Sequence, residues 1–169
     1  MATYLDRLID YDTWANQGLL DFLRDQPPET LDLATHGVYG TIRETLEHLF
    51  SSEMGYSRRL SPTPRDVPQR PEHPDLATLQ ALATESAVRL VDLVDTLPEP
   101  ATKIETSSGM RAAATILTQL VMHGVEHRAL VGTILGANGI EPPDLDSWAH
   151  GIWVHGDDWP PDWGPDRRG

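Results

Sequence analysis

SPTPRDVPQRPEHP, Ser61 to Pro74, carries prolines at positions 62, 64, 68, 71 and 74. Each proline fixes φ and lacks an amide donor, so no helix or strand interior tolerates that density. The stretch reads as a long surface crossover. Connections of this length without structure of their own are uncommon inside compact domains. What lies on either side of it therefore decides the fold.

Upstream, residues 3–25 read as a helix. Leu5, Leu8, Ile9, Leu19, Phe22 and Leu23 recur at spacings of three and four, and Pro27-Pro28 stop it. After LDLATHGVYG, residues 31–40, Thr41-Ile42-Arg43-Glu44 has the capping-box pattern, in which threonine and glutamate satisfy each other's free backbone amides. The second helix, 41–60, has Ile42, Leu46, Leu49 and Phe50 as its apolar stripe. Downstream, Asp75 is the expected N-cap of a third helix reaching Thr96, with Leu79, Leu82, Leu90, Leu93 and Val94 inside; Pro98 and Pro100 end it. Lys103 to Ser107, followed by Ser108-Gly109, predicts a short extended piece or turn. The fourth helix, from Arg111 to Leu135, is the most apolar, and Gly136 or Gly139 stops it. A short helix is expected over Asp144 to Val154.

Four long helices, little strand signal and one long crossover predict an all-α protein, a four-helix bundle. The expected organisation is a single domain over residues 1–156 and an acidic tail rich in Pro, Gly and Trp over 157–169. A chain of 169 residues with 39% hydrophobic and 23% charged residues suits one soluble domain. No apolar run approaches the roughly 18 residues of a membrane span. MATYLDRLIDYD lacks the basic-then-apolar order of a signal peptide, so a cytoplasmic protein without membrane attachment is expected. The net charge of −13 argues against nucleic acid, whose phosphates reward Lys and Arg. Cysteine is absent, which excludes disulfides, thiolate zinc sites, iron–sulfur clusters and a cysteine nucleophile. Any metal must then be held by imidazole and carboxylate.

Histidines are the anomaly in this pattern. VMHGVEHRAL, Val121 to Leu130, puts His123 and His127 about 40° apart on a helix and one turn apart along it, a spacing that lets two imidazoles reach one ion. Leu120, Val131 and Ile134 share that face, and Gly124 beside it permits close approach of another helix or a ligand. Chance supplies roughly 0.3 such pairs in a chain with seven histidines, and buried histidines bonded to carbonyls or water are the competing reading. His48, beside Leu46, Leu49 and Phe50, adds a third inward candidate from another helix. Three imidazoles with an open fourth position is the arrangement of catalytic zinc, where a bound water or thiol loses its proton readily.

Other patterns carry less. His36 and His73 fall in loops and His150 and His155 near the C-terminal helix; surface or capping roles are expected, with His150 the one placed to touch a lid. His123-Gly-Val-Glu126-His127 satisfies the HxxEH string of inverted zinc peptidases. Those enzymes need a further ligating glutamate in a much larger fold, and only 42 residues follow His127. Glu126 lies about 100° from His127 on the helical wheel and is expected behind the ligands or on the surface. No Glu-x-x-His occurs at any of the three histidines, which argues against a di-iron carboxylate centre.

Three segments together carry a resemblance. Tyr11-Asp12-x-Trp14-Ala15-Asn16 resembles the opening motif of the DinB/YfiT-like metalloprotein superfamily. Thr41 to His48 resembles its second-helix segment, and HGVEHRALVGTILGANGIEPPDLD, residues 123–146, its last-helix signature. The resemblance implies an up-down-down-up bundle, often a homodimer. It also implies a divalent metal ion, usually zinc or nickel, on His48, His123 and His127. Characterised branches are S-transferases using the low-molecular-weight thiols bacillithiol or mycothiol, and a mycothiol-dependent maleylpyruvate isomerase. The expected reaction is therefore attack of a metal-activated small thiol on an electrophilic small molecule, with Trp14, Asn16 and Tyr56 lining the pocket. Alternatives are a metal-dependent hydrolase of a small substrate, or a non-catalytic metal-binding protein of stress response or ligand sensing. Trp148, Trp153, Trp159 and Trp163 lie in an extension outside the family pattern and are expected to pack as a tail.

Overall fold

The computed structural model describes residues 2–158. Four long helices dominate: α1 (Tyr4–Arg24), α2 (Ile42–Leu60), α3 (Leu76–Val94) and α4 (Ala113–Ala137). The starts of α1, α2 and α3 follow local chemistry. Thr41 Oγ1 accepts from the Glu44 amide at 3.2 Å while Glu44 Oε2 accepts from the Thr41 amide at 2.8 Å. Thr3 and Asp6 repeat that reciprocal cap on α1, and Asp75 Oδ1 accepts from the Thr78 amide at 2.8 Å on α3. Among the described residues, no helix is long and apolar enough to cross a membrane.

Two boundaries differ from the expectation. Arg111 and Ala112 are not the first turn of α4 but belong to a hairpin, β1 (Lys103–Thr106) antiparallel to β2 (Gly109–Ala112). Gly109 turns the chain at φ +96°, a conformation that suits a residue without Cβ. Arg111 and Ala112 are paired with Ile104 and Lys103, and the Ala113 amide at the helix start is held by the Thr102 carbonyl at 2.9 Å. The last helix, α5 (Ser147–His150), is capped by Asp146 and passes into one wide turn over Gly151–His155. Trp148 and Trp153 are exposed rather than packed, while Ala149, His150 and Ile152 between them are buried. Trp159 and Trp163 lie outside the described residues.

Helix directions follow from which ends meet. Leu23 near the end of α1, Ile42 at the start of α2, Leu79 at the start of α3 and Leu135 near the end of α4 share one apolar cluster. Leu60 and Leu93, at the ends of α2 and α3, meet Ala113 and Ile116 at the start of α4. Helices α2 and α3 thus run in the same direction, and α1 and α4 run opposite to them. Each of α1 and α2 packs on both α3 and α4. The proline-rich crossover spans the length of the bundle and is pinned to it. Arg89 donates to the Asp66 carbonyl at 2.9 Å, and Arg43 reaches the Pro74 carbonyl and, at 2.8 Å, Asp32.

The core contains a buried polar layer with at least one member from each long helix: Asp12 and Asn16 from α1, Glu53 from α2, Ser86 from α3 and Arg128 from α4. Arg128 donates to Asp12 at 2.7 Å and to the Asn16 side-chain oxygen at 2.8 Å; the Asn16 amide donates to Glu53 at 3.1 Å, and Ser86 donates to Glu53 at 2.5 Å. Burial, reinforced by the Asp12 charge, pushes the Glu53 carboxyl up to about 8. Burial opposes the Arg128 charge, but the Asp12 carboxylate outweighs it and holds the guanidinium protonated.

Because the folded-state value of Glu53 lies above its unfolded value, the native state binds the extra proton between them. The associated stability is fully present below about pH 4.5 and is lost as pH rises through about 8. Glu53→Gln should therefore be more stable than wild type at pH 9, by an amount on the order of 2 kcal/mol, and near neutral at pH 5. Denaturant unfolding at the two pH values checks this.

Candidate metal centre

The trio is assembled by two helical stripes that face each other. His48 sits in the middle of α2; His123 and His127 sit one turn apart in α4, buried at 7% exposure each. One nitrogen from each of the three lies within 4.8 Å of the others. The Nε2 atoms of His48 and His123 are 3.2 Å apart. Ring centroids stand 5.1 Å apart for His48–His123, 5.0 Å for His48–His127 and 3.9 Å for His123–His127.

Protonation is set by the surroundings. Burial, then the neighbouring His127 and His48, pushes the His123 imidazole down to about 4. His48 is also held below the usual histidine range, first by burial and then by His127. Neither ring can carry a proton comfortably at neutral pH, and no carboxylate belongs to the trio. The ring nitrogen Nδ1 of His127 lies 3.0 Å from the His123 carbonyl, an interaction in which it donates and leaves Nε2 free to face the other rings. His48 Nδ1 and His123 Nδ1 are buried without a hydrogen-bond partner among the described residues. Three clustered imidazole nitrogens, with no carboxylate among them, are the chemistry a borderline-soft divalent cation takes.

Two tyrosines wall the trio. Tyr56, one of the residues named from sequence, packs edge-on against His123 at 5.7 Å. Tyr39, which sequence reading did not single out, covers His48 at 5.0 Å and stands 6.2 Å from His127. Its loop is held there by Thr45, whose hydroxyl donates to the Tyr39 carbonyl at 2.7 Å. The other named residues lie elsewhere. Trp14 packs on His150 at 5.1 Å and on Tyr11 at 6.4 Å. Asn16 is one step behind the trio, its amide engaged by Glu53 and Arg128. Glu126 is exposed and makes no hydrogen bond or ion pair among the described residues.

A second face of α4 fixes the first. Gly124 and Arg128 point to α1, where a Cβ on Gly124 would stand 2.3 Å from Asp12 Oδ1 and 3.1 Å from Arg128 Nη1. The missing side chain is what lets the Asp12 carboxylate reach the guanidinium. His150 departs from its expected surface role: it is buried at 5% exposure, between Trp14 and Tyr11. Its Nε2 lies 3.5 Å from Asp10 Oδ2, with His155 Nε2 3.9 Å from the same oxygen, so these side chains tie the C-terminal turn to α1.

Comparison with known proteins agrees with this architecture. The sequence model of the DinB family matches residues 1–154. The chain is similar to Protein DinB of Bacillus subtilis (strain 168), 22% identical over 152 residues that cover 82% of this chain and 88% of that protein. The chain belongs to the DinB family.

Arg128→Met strips the partner from a carboxylate with 0% exposure and should lower the unfolding free energy by about 3–5 kcal/mol. Adding Asp12→Leu should recover much of that loss, because the penalty is the unpaired buried charge. Gly124→Ala should destabilise through the same pair. Chemical denaturation of the variants measures all three.

Proposed function

We propose that this DinB-family chain holds one divalent metal ion on the Nε2 atoms of His48, His123 and His127 and uses it to activate a low-molecular-weight thiol toward an electrophilic small molecule. The observation that carries the reading is the 3.2 Å separation of the facing His48 and His123 nitrogens. Metal–nitrogen bonds of about 2.0–2.1 Å at tetrahedral angles give an edge of about 3.3 Å, so the two rings already stand at the spacing of shared ligands. Zinc and nickel both suit an imidazole donor set. A divalent ion there would lower the pKa of a coordinated thiol and hold it as the nucleophile.

The chain's own residues do the rest. No cysteine is present, so the nucleophilic sulfur must arrive with a small molecule. The His127 contact to the His123 carbonyl fixes the ring that faces the centre. Tyr39 and Tyr56 supply aromatic walls that orient a bound molecule and limit water around the trio. Glu126 faces away and is no candidate for a general base, which weighs against water as the attacking group.

Metal analysis of protein purified without chelator, followed by zinc and nickel titration, should give one ion per chain. His127→Ala should weaken binding by more than about 100-fold. The loaded protein should then conjugate a chloro-dinitrobenzene-type or bimane-type electrophile only when a low-molecular-weight thiol is supplied. Turnover that consumes water and no thiol would replace the transferase by a hydrolase. A wild type that takes up neither ion would overturn both.

A further inference from the structure

The stripes that carry the trio continue past it. On α2, Ser51, Ser52, Gly55, Tyr56 and Arg59 follow His48 at helical spacings along the same face; on α4, Gln119, Ile116 and Thr115 precede His123 in the same way. These residues wall a cleft of about 610 Å³ that starts one turn beyond His48. The crossover contributes Arg70, and the hairpin contributes Ser107, Ser108 and Arg111. Tyr56 belongs to both places, lining the cleft and packing on His123. The volume is that of a small-metabolite site.

Its charge is opposite to that of the protein. The chain has net charge −13, with 26 carboxylates against 13 Lys and Arg. Yet four of those 13 cations, Arg58, Arg59, Arg70 and Arg111, line this one cleft, and no carboxylate among the described residues lines it. Arg58 and Arg70 have loose partners at 3.7 Å (Asp66) and 3.6 Å (Glu47). Arg59 and Arg111 have no carboxylate partner among the described residues. Their guanidinium groups rest on the backbone carbonyls of Gly55 at 2.7 Å and Met110 at 3.0 Å, leaving other N–H donors for a ligand. A Cβ at Gly55 would stand 3.2 Å from Arg59 Nη1, so this glycine lets the guanidinium fold back along the cleft wall. Arginines gathered in a concave, carboxylate-free site within an acidic protein concentrate the local field on an incoming anion.

We propose that this cleft is an anion subsite that holds carboxylate or phosphate groups of the small molecule whose reactive end meets the three histidines. The inference rests on the metal-site reading for the role of that molecule, whereas anion binding itself can be measured without metal.

Tricarballylate and inorganic phosphate titrated into the metal-free full chain, followed by amide NMR shifts, give the test. Saturable shifts should cluster at residues 55–59, 70 and 106–119. Arg59→Ser/Arg111→Ser, folded by circular dichroism because both sites are exposed, should bind at least about tenfold more weakly. Arg24→Ser, an exposed arginine in the last turn of α1 at the opposite end of the bundle, should bind as wild type. Preference for one probe distinguishes a carboxylate-bearing from a phosphate-bearing ligand. With metal loaded, kinetics on thiols and electrophiles with and without a carboxylate show which reactant carries the anion: the KM of that reactant alone should rise in the double variant. No saturable binding, unchanged affinity in the double variant, or shifts spread evenly over all surface arginines would overturn the subsite. Normal anion binding in a protein that takes up no metal would leave the subsite standing and remove only the metal reading.

Discussion

The buried pair of Arg128 with Asp12 is the contact on which the site depends. An isolated pair of this kind adds little net stability, since desolvation offsets most of the Coulombic gain. What it supplies here is register. Asp12 reaches Arg128 across Gly124, where a side chain would stand in the way, so the pair requires this close approach of α1 and α4. Asn16 and Glu53 extend the constraint to α2, and Ser86 extends it to α3. Once the Gly124–Arg128 face of α4 is committed to α1, the face carrying His123 and His127 is turned toward α2.

His48 then meets the pair as a consequence of helix geometry rather than of a dedicated loop. Three imidazoles brought this close form a donor cluster, in which burial and mutual repulsion disfavour protonation of His48 and His123. The same two stripes run on into the cleft, where α2 adds Arg58 and Arg59, the crossover Arg70 and the hairpin Arg111. An acidic surface elsewhere makes that cleft the place where an anionic reactant is favoured.

Much of this was legible from sequence, for identifiable reasons. Prolines 62 to 74 and the caps at Thr41 and Asp75 are local signals, and local chemistry set the helix starts. His48, His123 and His127 stood out because imidazole is unusual on an apolar stripe. The hairpin was largely hidden, since strands of four mostly exposed residues carry no apolar alternation. Glu53 and Ser86 read as ordinary polar helix residues; only the packing of four helices shows that they are buried together. Tyr39 reaches the trio through a Thr45 contact that spacing cannot reveal. His150 looked peripheral because its burial depends on Tyr11 and Trp14, far away in sequence. Family membership added the expectation of a metal, while the geometry supplied the donors.

The donor set offered to one ion is three imidazole nitrogens and no carboxylate of this chain. X-ray absorption at the metal edge of the zinc-reconstituted chain addresses it most directly. Nitrogen and oxygen neighbours at about 2.0–2.1 Å, with outer-sphere scattering from three imidazole rings, are expected. A sphere of six oxygens, or scattering from fewer than three rings, would contradict it.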